Sequence, residues 1–220
     1  MHPRPVLLIS SFGPFPGVPS NPTGALAARL LPVLDAMGVD GRHVALPTRF
    51  DVAWDTLRAA LDDAHATGRL IAVVALGVSG QLVMPHLETI AFNHREPGRH
   101  DAAGATVEAL DTTLVHAAPS TLPTALPVDA ILARARTCGA AIGVSADPGR
   151  YLCNEVFFKL MAWRGEVGFE GEAGFVHVPQ PRDEVHAEAT VKALDVVFEA
   201  VIDAAGESAA PLQAPPRGPL

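Results

Sequence analysis

Cysteine and histidine are the two side chains best suited to nucleophilic acyl chemistry near neutral pH, and each stands here in a telling place. The chain has two cysteines, Cys138 and Cys153. Cys153 lies in SADPGRYLCNEVFFKLMAW, where a strand and a turn lead into a predicted helix. In the opening turn of a helix the backbone N–H groups lack partners and the dipole is positive, so a thiolate is favoured there. Cys138 closes a predicted helix, where the dipole opposes a thiolate, and reads as inert. His177, in GFVHVPQP, ends a short apolar run before a Pro-containing loop. From there an imidazole can reach a neighbouring nucleophile and hold its proton. Glu88, in HLETIAFN, is a carboxylate inside an apolar run. It reads either as a solvent-facing strand position or as the group that orients a histidine and fixes its tautomer. On the residues alone, Cys153 reads equally as a small buried hydrophobe and His177 as a surface residue; a cysteine nucleophile, an imidazole base and an orienting acid is the functional alternative.

Other chemistries fit less well. Ser79 follows an apolar strand, and Gly77 stands two residues before it, but Gln81 occupies the place where a nucleophile elbow needs its second glycine. His94, Glu96, His100 and Asp101 are metal-ligating types, yet their spacing matches no helical ligand pair, so a loop is the simpler reading. Two cysteines support neither a disulfide framework nor a paired-cysteine zinc site. No metal or cofactor is expected.

The elements that must position these residues alternate. Strands are predicted at 5–11, 39–46, 70–77, 87–93, 140–146 and 174–179 from their apolar runs. Helices are predicted at 23–37, from Asp51 to Thr67, and over 127–138, 150–163 and 183–204. Asn21 before Pro22 reads as a helix N-cap, Asp51 as a second, and Gly68 as a helix stop. The stretch 94–105 is polar and Gly-rich and reads as a loop. Alternation of this kind predicts a single three-layer α/β/α domain over residues 1–205, with a central mixed, mostly parallel sheet. Residues 206–220 read as a Pro-rich, disordered tail.

Composition narrows the function. The 220 residues are 49% apolar and 18% charged, an ordinary globular balance. The net charge is −8 and the 16 basic residues are scattered, which argues against nucleic acid as a partner. The apolar stretch in MHPRPVLLIS is too short for a signal-peptide core or a membrane span, so the chain reads as cytoplasmic, with no membrane partner.

Five motifs in order resemble the pyroglutamyl peptidase I family, the pyrrolidone-carboxylate peptidases. They are LLISSFGPFPGVPSNP near the start, Ala91-Phe92-Asn93 after Glu88, Ser120-Thr121-Leu122-Pro123, Pro148-Gly149-Arg150-Tyr151-Leu152-Cys153-Asn154, and Phe175-Val176-His177-Val178-Pro179. The resemblance spans residues 6 to 179. It implies a Glu88–Cys153–His177 triad that releases N-terminal pyroglutamate from peptides through a thioester. It also implies that Phe12 and Phe15 flank the lactam ring, that Asn21 orders the binding loop, and that backbone around Val78 faces the lactam. A homodimer or homotetramer is the assembly it suggests. Departures from the family are equally specific. Gly77-Val78-Ser79-Gly80 replaces Gly-Gln-Ala-Gly, Pro16-Gly17 replaces Gly-Gly, and the family's Asp-Ala-Arg-Ile-Pro-Asp-Asn loop becomes Glu96-Pro97-Gly98-Arg99-His100-Asp101-Ala102. Gly98 falls where the family Arg helps polarise the scissile carbonyl, with Arg95 and Arg99 as the candidates to take its part. Arg99 joins Phe12, Phe15, Asn21 and Val78 in the expected substrate-binding set. The alternative is a non-catalytic or altered-specificity member of the fold that binds a small molecule or peptide.

Overall fold

Strand alternation decides which residues meet the helices on each side of the sheet. The computed structural model describes residues 3–50, 52–107 and 112–208. Its elements are β1 (Val6–Phe12), α1 (Thr23–Ala36), β2 (Asp40–Leu46), α2 (Ala53–Ala66), β3 (Leu70–Ser79), β4 (His86–Glu88), β5 (Ile90–Phe92), β6 (Thr121–Pro123), α3 (Val128–Cys138), β7 (Gly143–Ser145), α4 (Leu152–Glu166), β8 (Glu172–Pro179) and α5 (Glu184–Ser208). Six strands form one sheet in the order β2-β1-β3-β8-β4-β7. All its neighbours are parallel except β4 and β8. β5 and β6 form a separate antiparallel pair.

Because successive strand residues face opposite ways, the sheet carries two cores. On one face Val6, Leu8, Val73, Ala173 and Phe175 pack with Leu57 and Leu61 of α2 and Val156, Phe157 and Leu160 of α4. On the other, Leu7, Ile9, Val74, Leu76 and Val176 pack with Leu30 of α1, Ile131 of α3 and Leu194, Val197 and Phe198 of α5. The fold is therefore the mixed, mostly parallel sheet with helices on both sides that alternation predicts. Among the described residues no helix is long and apolar enough to cross a membrane.

Several elements depart from expectation for visible reasons. The run 87–93 is two strands in two sheets, broken at Thr89. There the Thr89 N–H and hydroxyl both donate to the Ser145 carbonyl, and its own carbonyl accepts from Thr124. β6, unpredicted, pairs its three residues with β5. The strand expected at 140–146 narrows to Gly143–Ser145. The last helix runs through Gly206 to Ser208, past both its expected end and the expected start of the tail. Pro22, not Asn21, occupies the cap position of α1. Asn21 still serves that end, its Oδ1 accepting from the Thr23 N–H at 3.1 Å. The cap expected at Asp51 and the tail from 209 onward lie outside the described residues.

Candidate active site

His177 sits near the C-terminal end of β8, on the face that carries Phe175 and looks toward α4. Its neighbour β4 runs antiparallel, with His86 opposite His177 and Glu88 opposite Phe175. Leu87 points into the other core, so His86 and Glu88 share the face of His177. This pairing explains why an acidic residue interrupts an apolar run. Glu88 is 2% exposed, and its Oε1 accepts a hydrogen bond from His177 Nδ1 at 2.7 Å. A carboxylate only accepts, so Nδ1 carries the proton and Nε2 is left for the sulfur.

The sulfur comes from α4. Cys153 is the helix's second residue, and Tyr151 caps it in an extended conformation. Gly149, at φ +75°, supplies the left-handed turn that swings the chain into the helix. Cys153 stands beside His177, close enough to act on the imidazole together with Glu88. Burial pushes the imidazole pKa down, but its interactions with Cys153 and Glu88 push it up further, to about 9. The imidazolium is therefore the resting form at neutral pH, beside a sulfur at a helix N-terminus.

Space for this contact comes from Gly77, opposite His177 in the β3–β8 pairing. A Cβ there would lie 2.7 Å from Phe175 Cζ and 3.0 Å from Cys153 Sγ. Phe175 is fully buried against Phe157 and His177 and has no room to yield. Gly77→Ala is expected to lower kcat/KM by about 10- to 100-fold through a misplaced sulfur. It should also destabilise the fold by about 1–3 kcal/mol. Steady-state kinetics beside urea unfolding checks both.

Asn154, fully buried, ties α4 to β5. It accepts from the Phe92 N–H at 2.8 Å and donates to the Phe92 and His94 carbonyls, each at 2.9 Å. Asn154→Ala strands these backbone groups and is expected to cost about 2–4 kcal/mol, read as a lower urea midpoint. Asn93 does similar work nearby, accepting from the Leu114 and Val115 N–H groups.

Cys153, His177 and Glu88 open into a cleft of about 490 Å³. Phe15, Val78 and Arg99 line it too. Phe12 does not. It is 4% exposed and packs in the core with Leu46 and Val73. Asn21 is also absent from the lining, but it stands behind it, donating to the Gly13 carbonyl while holding Thr23. Of the two candidate arginines, Arg95 pairs with the buried Glu155 at 3.2 Å. Arg99 lies over the Tyr151 ring, 5.2 Å from its centroid, at the cleft.

Sequence reasoning passed over Tyr151, His86 and Arg150 as lining residues. Tyr151 had a signal, since it stands two places before Cys153 in the quoted motif. Its ring meets Phe15 at 6.0 Å and Phe50 edge-on at 5.5 Å, and its hydroxyl donates to the His100 carbonyl at 2.9 Å. Burial first, then the charges of Asp101 and Cys153, push that phenol up to about 12, so it stays a donor. Asp101 anchors the loop bearing Arg99 by accepting N–H bonds from Phe50, Ala103 and Ala105. Burial pushes its carboxyl up, and those bonds pull it below the usual range. Among the described residues no group of three or more His, Cys, Asp or Glu side chains could hold a metal ion. Cys138 is exposed at the end of α3, away from these elements.

The chain is similar to known proteins in sequence and in fold. The pyroglutamyl peptidase family model matches residues 6–210. Pyrrolidone-carboxylate peptidase 1 of Ralstonia nicotianae is 32% identical over 178 residues, covering 80% of this chain and 78% of its own. The pyrrolidone-carboxylate peptidase of Clavibacter michiganensis is 31% identical over 181 residues, covering 82% and 81%. Among solved structures, pyrrolidone carboxyl peptidase from Thermococcus litoralis is 26% identical with a TM-score of 0.81, over 96% of this chain and 99% of that one. Pyroglutamyl peptidase I of Bacillus amyloliquefaciens shares the fold at 22% identity and a TM-score of 0.79, over 92% and 98%. A matching sheet, a cysteine at a helix N-terminus and a family match across nearly the whole described chain lead to one conclusion: this chain belongs to the pyroglutamyl peptidase family.

Proposed function

We propose that the protein is a cysteine peptidase that hydrolyses the bond after an N-terminal pyroglutamyl residue. The observation that carries this reading is the buried, hydrogen-bonded Glu88–His177 pair with Cys153 beside it in an open cleft. In the proposed sequence the Cys153 sulfur attacks the pyroglutamyl carbonyl carbon. The C–N bond breaks as His177 gives its proton to the departing amine, leaving a thioester. The neutral imidazole then takes a proton from water, the hydroxide adds to the thioester, and the C–S bond breaks. Free pyroglutamate and the starting sulfur–imidazolium pair result. Glu88 holds the ring and stabilises its charge throughout. The unpaired N–H groups of the α4 opening turn face the charge that develops on the carbonyl oxygen.

The lactam is small, flat and uncharged, and it suits apolar walls with a few polar groups. Phe15, Val18, Val78 and Tyr151 supply such walls. Arg99 is the cation we assign to the substrate carbonyl, because it lines the cleft over Tyr151 with only an exposed 3.9 Å pair to Glu96 among the described residues, whereas Arg95 is engaged with the buried Glu155. Phe12 and Asn21 act from behind the wall, as packing and as the tie that holds the loop.

We propose further that the enzyme works in the cytoplasm, where the half-buried Cys153 and exposed Cys138 stay reduced, and as a homodimer or homotetramer. Sedimentation of the purified chain measures the assembly. Release of a fluorophore from a pyroglutamyl amide, beside the prolyl amide that lacks the ring carbonyl, tests the substrate. Release from the pyroglutamyl amide with little from the prolyl amide is expected. Equal release removes lactam recognition, and no release removes the substrate assignment.

A further inference from the structure

We propose that His86 selects the residue that follows pyroglutamate by taking a carboxylate carried on that residue. This rests on the peptidase reading and adds to it a preference for the leaving group. Four observations converge. His86 lines the cleft on the same strand face as Glu88 and directly opposite His177. Its ring lies over Gly143, where a Cβ would come within 2.5 Å of Nε2, so the paired strand leaves a glycine-sized gap for an imidazole. The rings of His43, His100, His177 and His186 each bond to a protein group, and those of His65, His94 and His116, which have no such bond among the described residues, do not line the cleft. No hydrogen bond or ion pair holds the half-buried His86 ring among the described residues. Ring nitrogens that face a cleft without a protein partner are available to a ligand.

Topology says which part of the ligand arrives there. The sheet order places β1 and β7 on opposite sides of β8, which carries His177. The β1 side of the cleft is apolar, with Phe15 and Val18 from the loop after β1 meeting Tyr151. The β4–β7 side is polar, with His86, Ser145, Asp147 and Arg150. A lactam on the apolar side with its carbonyl at Cys153 sends the leaving chain toward the polar side. The two acids there are engaged, Glu88 with His177 and Asp147 with Arg150 at 2.6 Å. Arg150 is engaged with Asp147 and the Ser145 hydroxyl with the Asp147 carbonyl, so the group left to receive a ligand is the His86 ring, whose N–H fits a carboxylate. The carboxylate has two sources, an acidic side chain after pyroglutamate or the C-terminus of a dipeptide.

Matched substrates separate them. Pyroglutamyl-glutamyl amide is set against pyroglutamyl-glutaminyl amide, and pyroglutamyl-alanine against its amide, with a pyroglutamyl coumarin amide as reference. The wild type is expected to favour the carboxylate member of a pair by about tenfold in kcat/KM, expressed in KM. Preference within the first pair assigns the side chain, and within the second the C-terminus. His86→Ser should cut the ratio to below about twofold, and His86→Gln, which keeps a donor, should restore part of it. A purely structural role would lower all substrates together and leave the ratio intact. No wild-type preference, or a preference that His86→Ser leaves unchanged, overturns the proposal. Failure to cleave even the coumarin amide overturns the peptidase reading itself, and this proposal with it.

Discussion

Cys153→Ala is expected to abolish pyroglutamate release, with kcat falling by about 10⁴-fold or more while the fold persists. On the proposed mechanism the sulfur is the atom that bonds to the substrate. Ser79 lines the same cleft, but its neighbours lack the second glycine of a nucleophile elbow. The stability cost should be small, because Cys153 is only half-buried at the margin of the first core and loses a single sulfur. Circular dichroism and a urea midpoint near wild type, beside lost turnover, separate chemistry from folding. Cys138→Ala, at the exposed end of α3, should leave kcat within about twofold.

Glu88→Gln is expected to lower kcat by about 10²- to 10⁴-fold and to move the alkaline limb of the pH–rate profile toward acid. The sign follows from the imidazole. Burial works against the His177 proton, but its interactions with Cys153 and Glu88 outweigh that effect and hold the proton up to about pH 9. With a neutral amide in place of Glu88 one of those supports is gone while burial remains, so the proton leaves at lower pH. Wild-type activity should therefore fall as pH passes about 9, and the variant's should fall earlier. Stability follows the same proton. A folded-state pKa raised from the ordinary 6.5 contributes stability that is complete below pH 6.5 and is lost as pH rises through about 9. The wild-type melting temperature should decline across that window, and by less in Glu88→Gln.

The sequence carried the layer order because its strands are nearly continuous apolar runs, and period-two facing needs nothing more. Local geometry made Cys153 a candidate, since a strand, a turn and a helix start present a thiol, and the motif resemblance singled it out. Glu88 was ambiguous for a definite reason. A carboxylate in a short apolar run is solvent-facing unless a partner meets it, and the partner is 89 residues away on β8. The break at Thr89 was equally hidden, since the Ser145 carbonyl that pulls the chain between sheets comes from a distant strand. Phe12 and Phe15 show the limit of a motif. Both stand in one Gly/Pro loop segment, yet β1 pairing carries Phe12 into the core while Phe15, beyond it, reaches the cleft. His86 left no trace at all, because only the β4–β8 register sets it opposite His177.

Covalent capture with a pyroglutamyl chloromethyl ketone, followed by peptide mapping, probes the chemistry at its first bond. One equivalent of label on Cys153, with activity lost in proportion to labelling, is the predicted result. Turnover that persists on protein fully labelled at Cys153, or inactivation that tracks label on another residue, would contradict it.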